Sequence, residues 1–237
     1  MDRQHRHDLK HDKFVDEIGV LSEKARANQR TLLAIGAALV AAALIAYGIY
    51  FYRSTREGNA QAALATAITT FEAPVGDAPQ GQPPTPGPRF KTEQERTTAA
   101  EKQFKDVQAK FSGSDAADVA GLYLARLAVG RGDMKTARTH LENFIDDHSD
   151  HILVGAARFS LYQLRIESGE APQVVTELNA ELAKAEPTLP GDSLLVLLAQ
   201  AYDQQGNADK SREAYRRITT EFPESPYAIE AQRRIGA

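Results

Sequence analysis

Three glycines, Gly132, Gly169 and Gly206, stand 37 residues apart, each in a polar stretch between two apolar-periodic runs. A constant self-spacing of this length marks an internal repeat, and a repeat limits the chain to a stacked architecture. The neighbourhoods keep step with the glycines. Eight positions before them lie Leu124, Leu161 and Leu198, five after lie Ala137, Val174 and Ser211, and nine after lie Leu141, Leu178 and Tyr215. Apolar residues with helical period on both sides of a polar break predict two helices joined by a tight turn. The glycine itself fits a helix C-terminus, where the chain turns left-handed and a Cβ is costly.

The period continues outward. Ala100 and Phe104 lie 37 residues before Ala137 and Leu141, so "TTAAEKQFKDVQAKF" reads as the second helix of an earlier repeat. Ile235 lies 37 after Leu198, so "YAIEAQRRIGA" reads as a first helix without a second, a half-repeat that covers the last apolar face. The expected fold class is therefore all-α, a solenoid of helical hairpins over residues 92–237, preceded by a helix at 53–73 and a proline-rich insertion at 74–91. Six of the eleven prolines fall in 74–88, which excludes a helix there and predicts an extended insertion. The insertion carries Pro83-x-x-Pro86, a form that docks into aromatic-lined grooves.

Residues 31–52, "TLLAIGAALVAAALIAYGIYFY", carry no charge and are bracketed by Arg30 and Arg53. As a helix they reach roughly 33 Å, about the hydrocarbon thickness of a bilayer. Tyr47, Tyr50, Phe51 and Tyr52 gather at one end, as aromatic rings do at a membrane interface. A cleaved signal peptide has a shorter apolar core followed by small residues, so the run reads as an uncleaved anchor after a tail of residues 1–30. Lys13, Lys24, Arg26 and Arg30 precede it and only Arg53 and Arg56 follow closely. That asymmetry predicts a cytoplasmic tail and a large domain on the other side, the periplasm in a bacterium.

Chemistry is sparsely represented. Residues 53–237 hold 21 Lys/Arg against 26 Asp/Glu, the opposite of a nucleic-acid-binding footprint. The chain has no cysteine, so disulfides, thiolate metal sites and a cysteine nucleophile are excluded. Hydrolase, phosphate-loop, zinc-protease and dinucleotide motifs do not occur, so no catalytic residue and no cofactor is expected. Asp146, Asp147, His148, Asp150 and His151 have metal-ligand chemistry in close order, but at a repeat boundary where polar loops belong. His5, His7 and His11 lie in the tail. Neither run is taken as a metal site. "RGD" at Arg131–Asp133 is the turn of the first repeat.

The third block resembles a tetratricopeptide repeat. Leu195, Leu198, Ala199, Tyr202, Gly206, Ser211, Tyr215, Ile218 and Pro223 occupy that family's apolar, small, aromatic and closing-proline places. Leu124, Ala125, Ala128, Gly132, Ala137, Leu141 and Phe144 do so in the first block, with Ser149 in the proline's place. The second block departs. Tyr162 and Val174 stand where small residues let the helices cross, so either that pair is splayed or the register slips by one. The resemblance implies that first helices line a concave partner-binding face. By position that face holds Leu122, Arg126, Phe159, Gln163, Val196, Gln200 and Asp203, flanked by Val119, Val129, Ala156, Ile166 and Ser193. The trio Leu122, Phe159 and Val196 could equally be core. Apolar residues there also argue against the clamp for a terminal carboxylate that some members build from basic and amide groups.

Tail, span and repeats together are similar to bacterial inner-membrane proteins of the YfgM type. The resemblance implies a membrane-tethered scaffold near the secretory translocon, with translocon subunits or periplasmic chaperones as partners. "EFPESPYAIEAQRRIG" is also similar to segments of BamD- and CpoB-type proteins, which implies the alternative of an envelope-assembly or cell-division scaffold.

Overall fold

A computed structural model describes residues 29–77 and 87–236. The tail histidines and Pro83-x-x-Pro86 lie outside the described residues. Helix α1 spans Gln29–Phe71 without a break, so the expected span at 31–52 and the expected helix at 53–73 are one element. Eight further α-helices follow: α2 (Glu93–Lys110), α3 (Asp115–Gly130), α4 (Met134–Asp147), α5 (Val154–Arg165), α6 (Ala171–Leu182), α7 (Gly191–Gln204), α8 (Ala208–Glu221) and α9 (Ala228–Ile235). Among the described residues the only β-type pairing is an isolated bridge between Val75 and Phe90.

The chain divides into two compact units, 1–56 and 57–237. In the first, the described part of α1 is apolar and uncovered: Leu33, Leu39, Leu44, Tyr50 and Phe51 are all exposed. This helix is long and apolar enough to cross a membrane, and its apolar window has no buried residue, unlike the core helix of a globular domain. In the second unit the same helix changes character. Ala60, Leu64 and Ala67 are buried against Phe104 and Val107 of α2 and Ala120 and Leu124 of α3. Phe71, Phe104 and Tyr123 meet there, Phe104 and Tyr123 stacked at 4.8 Å between centroids and Phe71 edge-on to Tyr123 at 5.6 Å. Offset and edge contacts of this kind add to the area buried.

The three turns share a left-handed glycine, and the first and third share one construction. Gly132, Gly169 and Gly206 have φ of 77°, 88° and 72°, and the next helix begins two residues after each. At the first, Gly132 N–H donates to the Val129 carbonyl and Asp133 N–H to the Ala128 carbonyl, both at 2.9 Å. Gly206 and Asn207 repeat this on Asp203 and Tyr202, also at 2.9 Å. This pair of hydrogen bonds closes a helix C-terminus on a left-handed glycine. Asp133 and Asn207 then serve the following helix, accepting from Thr136 N–H at 3.0 Å and Lys210 N–H at 3.2 Å. One residue thus ends one helix and caps the next.

The second hairpin keeps the register, so no slip occurs, and it is splayed. Its helices α5 and α6 approach each other far less than α3 and α4 or α7 and α8 do. Tyr162 and Val174 replace Ala125 and Ala137 of the first hairpin, and Ala199 and Ser211 of the third, and their bulk holds the backbones apart. The turn itself, Ile166–Glu170, is a wider π-type turn. Helix α6 packs mainly on α7, through Val174, Leu178, Leu194 and Leu198. Helix α7 is consequently buried on two sides, since Leu195 and Ala199 face α8 and Ala231 of α9.

The insertion is pinned at its base. Gly76 N–H donates to the Phe90 carbonyl at 2.9 Å and Phe90 N–H to the Pro74 carbonyl at 3.1 Å. Thr92 then caps α2, accepting from Glu95 N–H at 3.2 Å. A last close fit lies at the start of α7, where a Cβ on Gly191 would come within 2.6 Å of the Phe222 ring.

Candidate functional site

The first helices of successive hairpins lie side by side and leave two neighbouring cavities on their common face. The first, about 440 Å³, is walled by α3, α4 and α5, with Leu122, Ala125, Val129, Ala157 and Leu164 as its apolar lining. Arg126, Gln163 and Glu167 bring its polar edge. The second, about 600 Å³, lies between α5, the turn after it, α7, α8 and α9. Phe159, Val196 and Tyr227 form its apolar part, and Gln163, Gln200, Glu167 and Asp203 its polar part. Gln163 and Glu167 line both, so the cavities adjoin.

All seven residues that the tetratricopeptide resemblance places on a concave face border these cavities: Leu122, Arg126 and Gln163 the first, and Phe159, Gln163, Val196, Gln200 and Asp203 the second. Val129 and Ala156 border the first and Ile166 the second, whereas Val119 and Ser193 border neither. The apolar trio has both roles. Val196 is buried to 5% exposure, while Leu122 and Phe159 are half-buried, and each of the three serves a core cluster and a cavity at once.

The second cavity has an ordered wall. The Phe159 and Tyr227 rings are parallel, 6.3 Å apart and 9° from coplanar. Tyr227 is fixed from behind, since its N–H donates to Ser225 Oγ at 3.1 Å and that hydroxyl donates to Asp192 at 2.7 Å. Tyr215 sits beneath, its phenol pushed above the usual range chiefly by burial and then by Asp203. Glu230 and Arg234 border the same cavity and pair with each other at 2.9 Å. Arg126 stands over the Phe71 ring at 5.2 Å and forms no ion pair among the described residues.

Tyr227, Glu230, Arg234, Ser160 and Glu167 were not expected at the site. A signal existed for one of them: the step that links Ala156 and Ser193 arrives next at Glu230. Glu167 follows Ile166 into the wide turn, which periodicity alone does not describe.

The His/Asp run serves local structure. His148 Nε2 lies 3.1 Å from Asp118 of α3, and His151 Nδ1 accepts from Leu153 N–H at 3.0 Å. Both rings flank Phe144, each at 5.2 Å. Among the described residues no three His, Cys, Asp or Glu side chains come together as metal ligands.

The family model for the tetratricopeptide repeat-like domain matches residues 27–229. The chain belongs to the tetratricopeptide repeat-like domain family. Its fold is an interaction module, typically non-catalytic, and the protein is accordingly a protein–protein interaction scaffold. No curated protein matches the chain. Among solved structures it is similar to the TPR-like repeats of a kinesin light chain from Podospora anserina, at 20% identity and a TM-score of 0.44. That similarity covers 60% of this chain and 77% of the other.

Proposed function

We propose that this repeat protein is anchored by the apolar half of α1 in a bacterial inner membrane and holds client proteins in the groove formed by its two cavities. Its place is near the secretory translocon or periplasmic chaperones, with the tail cytoplasmic and the repeats periplasmic. The observation that carries the reading is the junction of the two cavities at Gln163 and Glu167. A continuous groove with apolar floor and amide edges suits a protein segment, because the amides of Gln163 and Gln200 can hydrogen-bond a peptide backbone while side chains fill the cavities. Support for the anchor comes from the exposed apolar surface of 33–52, from the excess of Lys/Arg before it, and from the resemblance to YfgM-type proteins. Tethering raises the local concentration of clients at the membrane, so weak grooves suffice.

The test is a photo-crosslinking residue in place of Gln163 in intact cells, with one in place of exposed Glu213 of α8 as the control. Translocon subunits or periplasmic chaperones should be captured from position 163 and not from 213. Capture of only outer-membrane-assembly or cell-wall proteins would transfer the reading to an envelope-assembly or cell-division scaffold of the BamD or CpoB type.

A further inference from the structure

We propose that the second cavity takes a basic side chain, lysine or arginine, from a client segment whose neighbouring apolar residue fills the first cavity. This rests on the reading of the groove as a protein-binding surface and adds which segments it selects.

The charge balance of the groove points to it. Glu167 and Asp203 are both exposed, both border the second cavity, and neither forms an ion pair among the described residues. Arg234, the cation at that cavity, is bound to Glu230 at 2.9 Å. The lining therefore holds three carboxylates, Glu167, Asp203 and Glu230, against one arginine, Arg234, whose charge acts on Asp203 as well as Glu230, and the excess can charge-pair with an ammonium or a guanidinium. The aromatic wall formed by Phe159 and Tyr227 suits the same ligand, because its apolar surface can cover the aliphatic stem of a lysine or arginine. An acidic segment would be repelled by the carboxylates.

The first cavity sets the direction. Its floor is apolar, and its far edge carries Arg126, a cation without a carboxylate partner. A basic residue there would meet like charge. The groove thus runs from a cationic edge, over an apolar floor, to an anionic pocket. A segment with the order apolar then basic matches it in one orientation only, and charge complementarity of this kind fixes register as well as affinity.

The full chain in detergent is titrated with dye-labelled peptides of serine and glycine that carry two leucines and, one to four residues away, a single arginine. A matched set has glutamate in the arginine's place. Fluorescence anisotropy should show the best arginine peptide binding roughly tenfold tighter than its glutamate counterpart, with the difference shrinking in high salt. The exposed pair of substitutions Glu167→Lys and Asp203→Lys should reverse that order, and Glu167→Gln with Asp203→Asn should abolish the preference while leucine-dependent binding remains. Equal binding of both peptide sets overturns the charge assignment and leaves the protein-binding reading standing. No binding by any peptide, together with no capture from position 163, removes both.

Discussion

Asp133, Glu170 and Asn207 occupy the same place in three successive turns, one residue after the left-handed glycine, and the chemistry of each decides a different outcome. Asp133 and Asn207 are short enough to accept the N–H of the third residue beyond them. Glu170 is one methylene longer and makes no such cap; its carboxylate reaches Arg138 at 2.6 Å and Arg165 at 3.0 Å. Asn207→Ala should lower the free energy of unfolding by about 1 kcal/mol, the usual worth of a cap, and Asp133→Ala should lower it in the same direction. The loss at Asn207 should persist in high salt, since its amide is neutral, and that at Asp133 should shrink only a little, since hydrogen bonds to Thr136 lead its interactions. Glu170→Ala should cost about 0.5–1 kcal/mol at low salt and much less in 1 M salt, because a partly exposed ion pair is screened. Urea unfolding of the three variants at two salt concentrations separates the mechanisms. An equal salt response in all three would show that Glu170 acts as a cap after all.

At the scale of the element, Glu170 belongs to a chain of charges that links two hairpins. Arg138 of α4 also pairs with Glu142 at 2.8 Å, and Arg165 of α5 holds Glu177 of α6 through two bonds of 2.7 Å. The network spans the splayed hairpin, where α5 and α6 have little direct packing, and so supplies part of what packing does in the other two. Hydrogen bonds from Arg165, and for Glu170 also from Arg138, hold both carboxyls below the ordinary value of 4.5. A depressed carboxylate contributes stability that is complete above its unfolded pKa and is lost as pH falls through the folded one. The window therefore opens at about pH 4.5 and extends downward. The double variant Glu170→Gln and Glu177→Gln should be less stable than the parent at pH 7, and should lose less on going to pH 3.5. Urea midpoints at the two pH values measure this, and parallel losses in parent and variant would mean that the network contributes nothing.

The hairpins themselves were legible because a left-handed turn demands glycine and a close helix crossing demands small residues. Both demands appear in the letters at fixed spacing. The splay at Tyr162 and Val174 was legible as a conflict with that pattern. What compensates it was not, since Glu170 and Arg138 are 32 residues apart and no periodicity predicts an ion pair. The lining of the groove, with Asp203 at its anionic end, followed from the tetratricopeptide resemblance, whereas Glu167 lies in the wide turn, where the repeat changes.

For the whole molecule, the long helix raises the question of which of its residues the repeats require. The division between the two units falls after Arg56, and the buried residues of α1 begin at Ala60. Ala60 and Ala67 are fully buried, Leu64 is 5% exposed, and Phe71 packs against Phe104 and Tyr123. Leu33, Leu39, Leu44, Tyr50 and Phe51, before Arg53, are exposed. A chain beginning at Glu57 should therefore stay in solution without detergent and melt within a few degrees of the full chain. A chain beginning at Glu72 loses buried Leu64, worth roughly 1.5–3 kcal/mol, and half-buried Phe71, worth up to about as much, and leaves Phe104, Val107 and Leu124 facing water. It should lose up to about 6 kcal/mol and unfold first in α2 and the start of α3, where amide hydrogen exchange should rise while α7 and α8 stay protected. Melting curves and exchange on the two truncated chains decide the matter. If the chain beginning at Glu57 proves as unstable as the one beginning at Glu72, the apolar half of α1 belongs to the folded core and its role as a membrane anchor falls with that result.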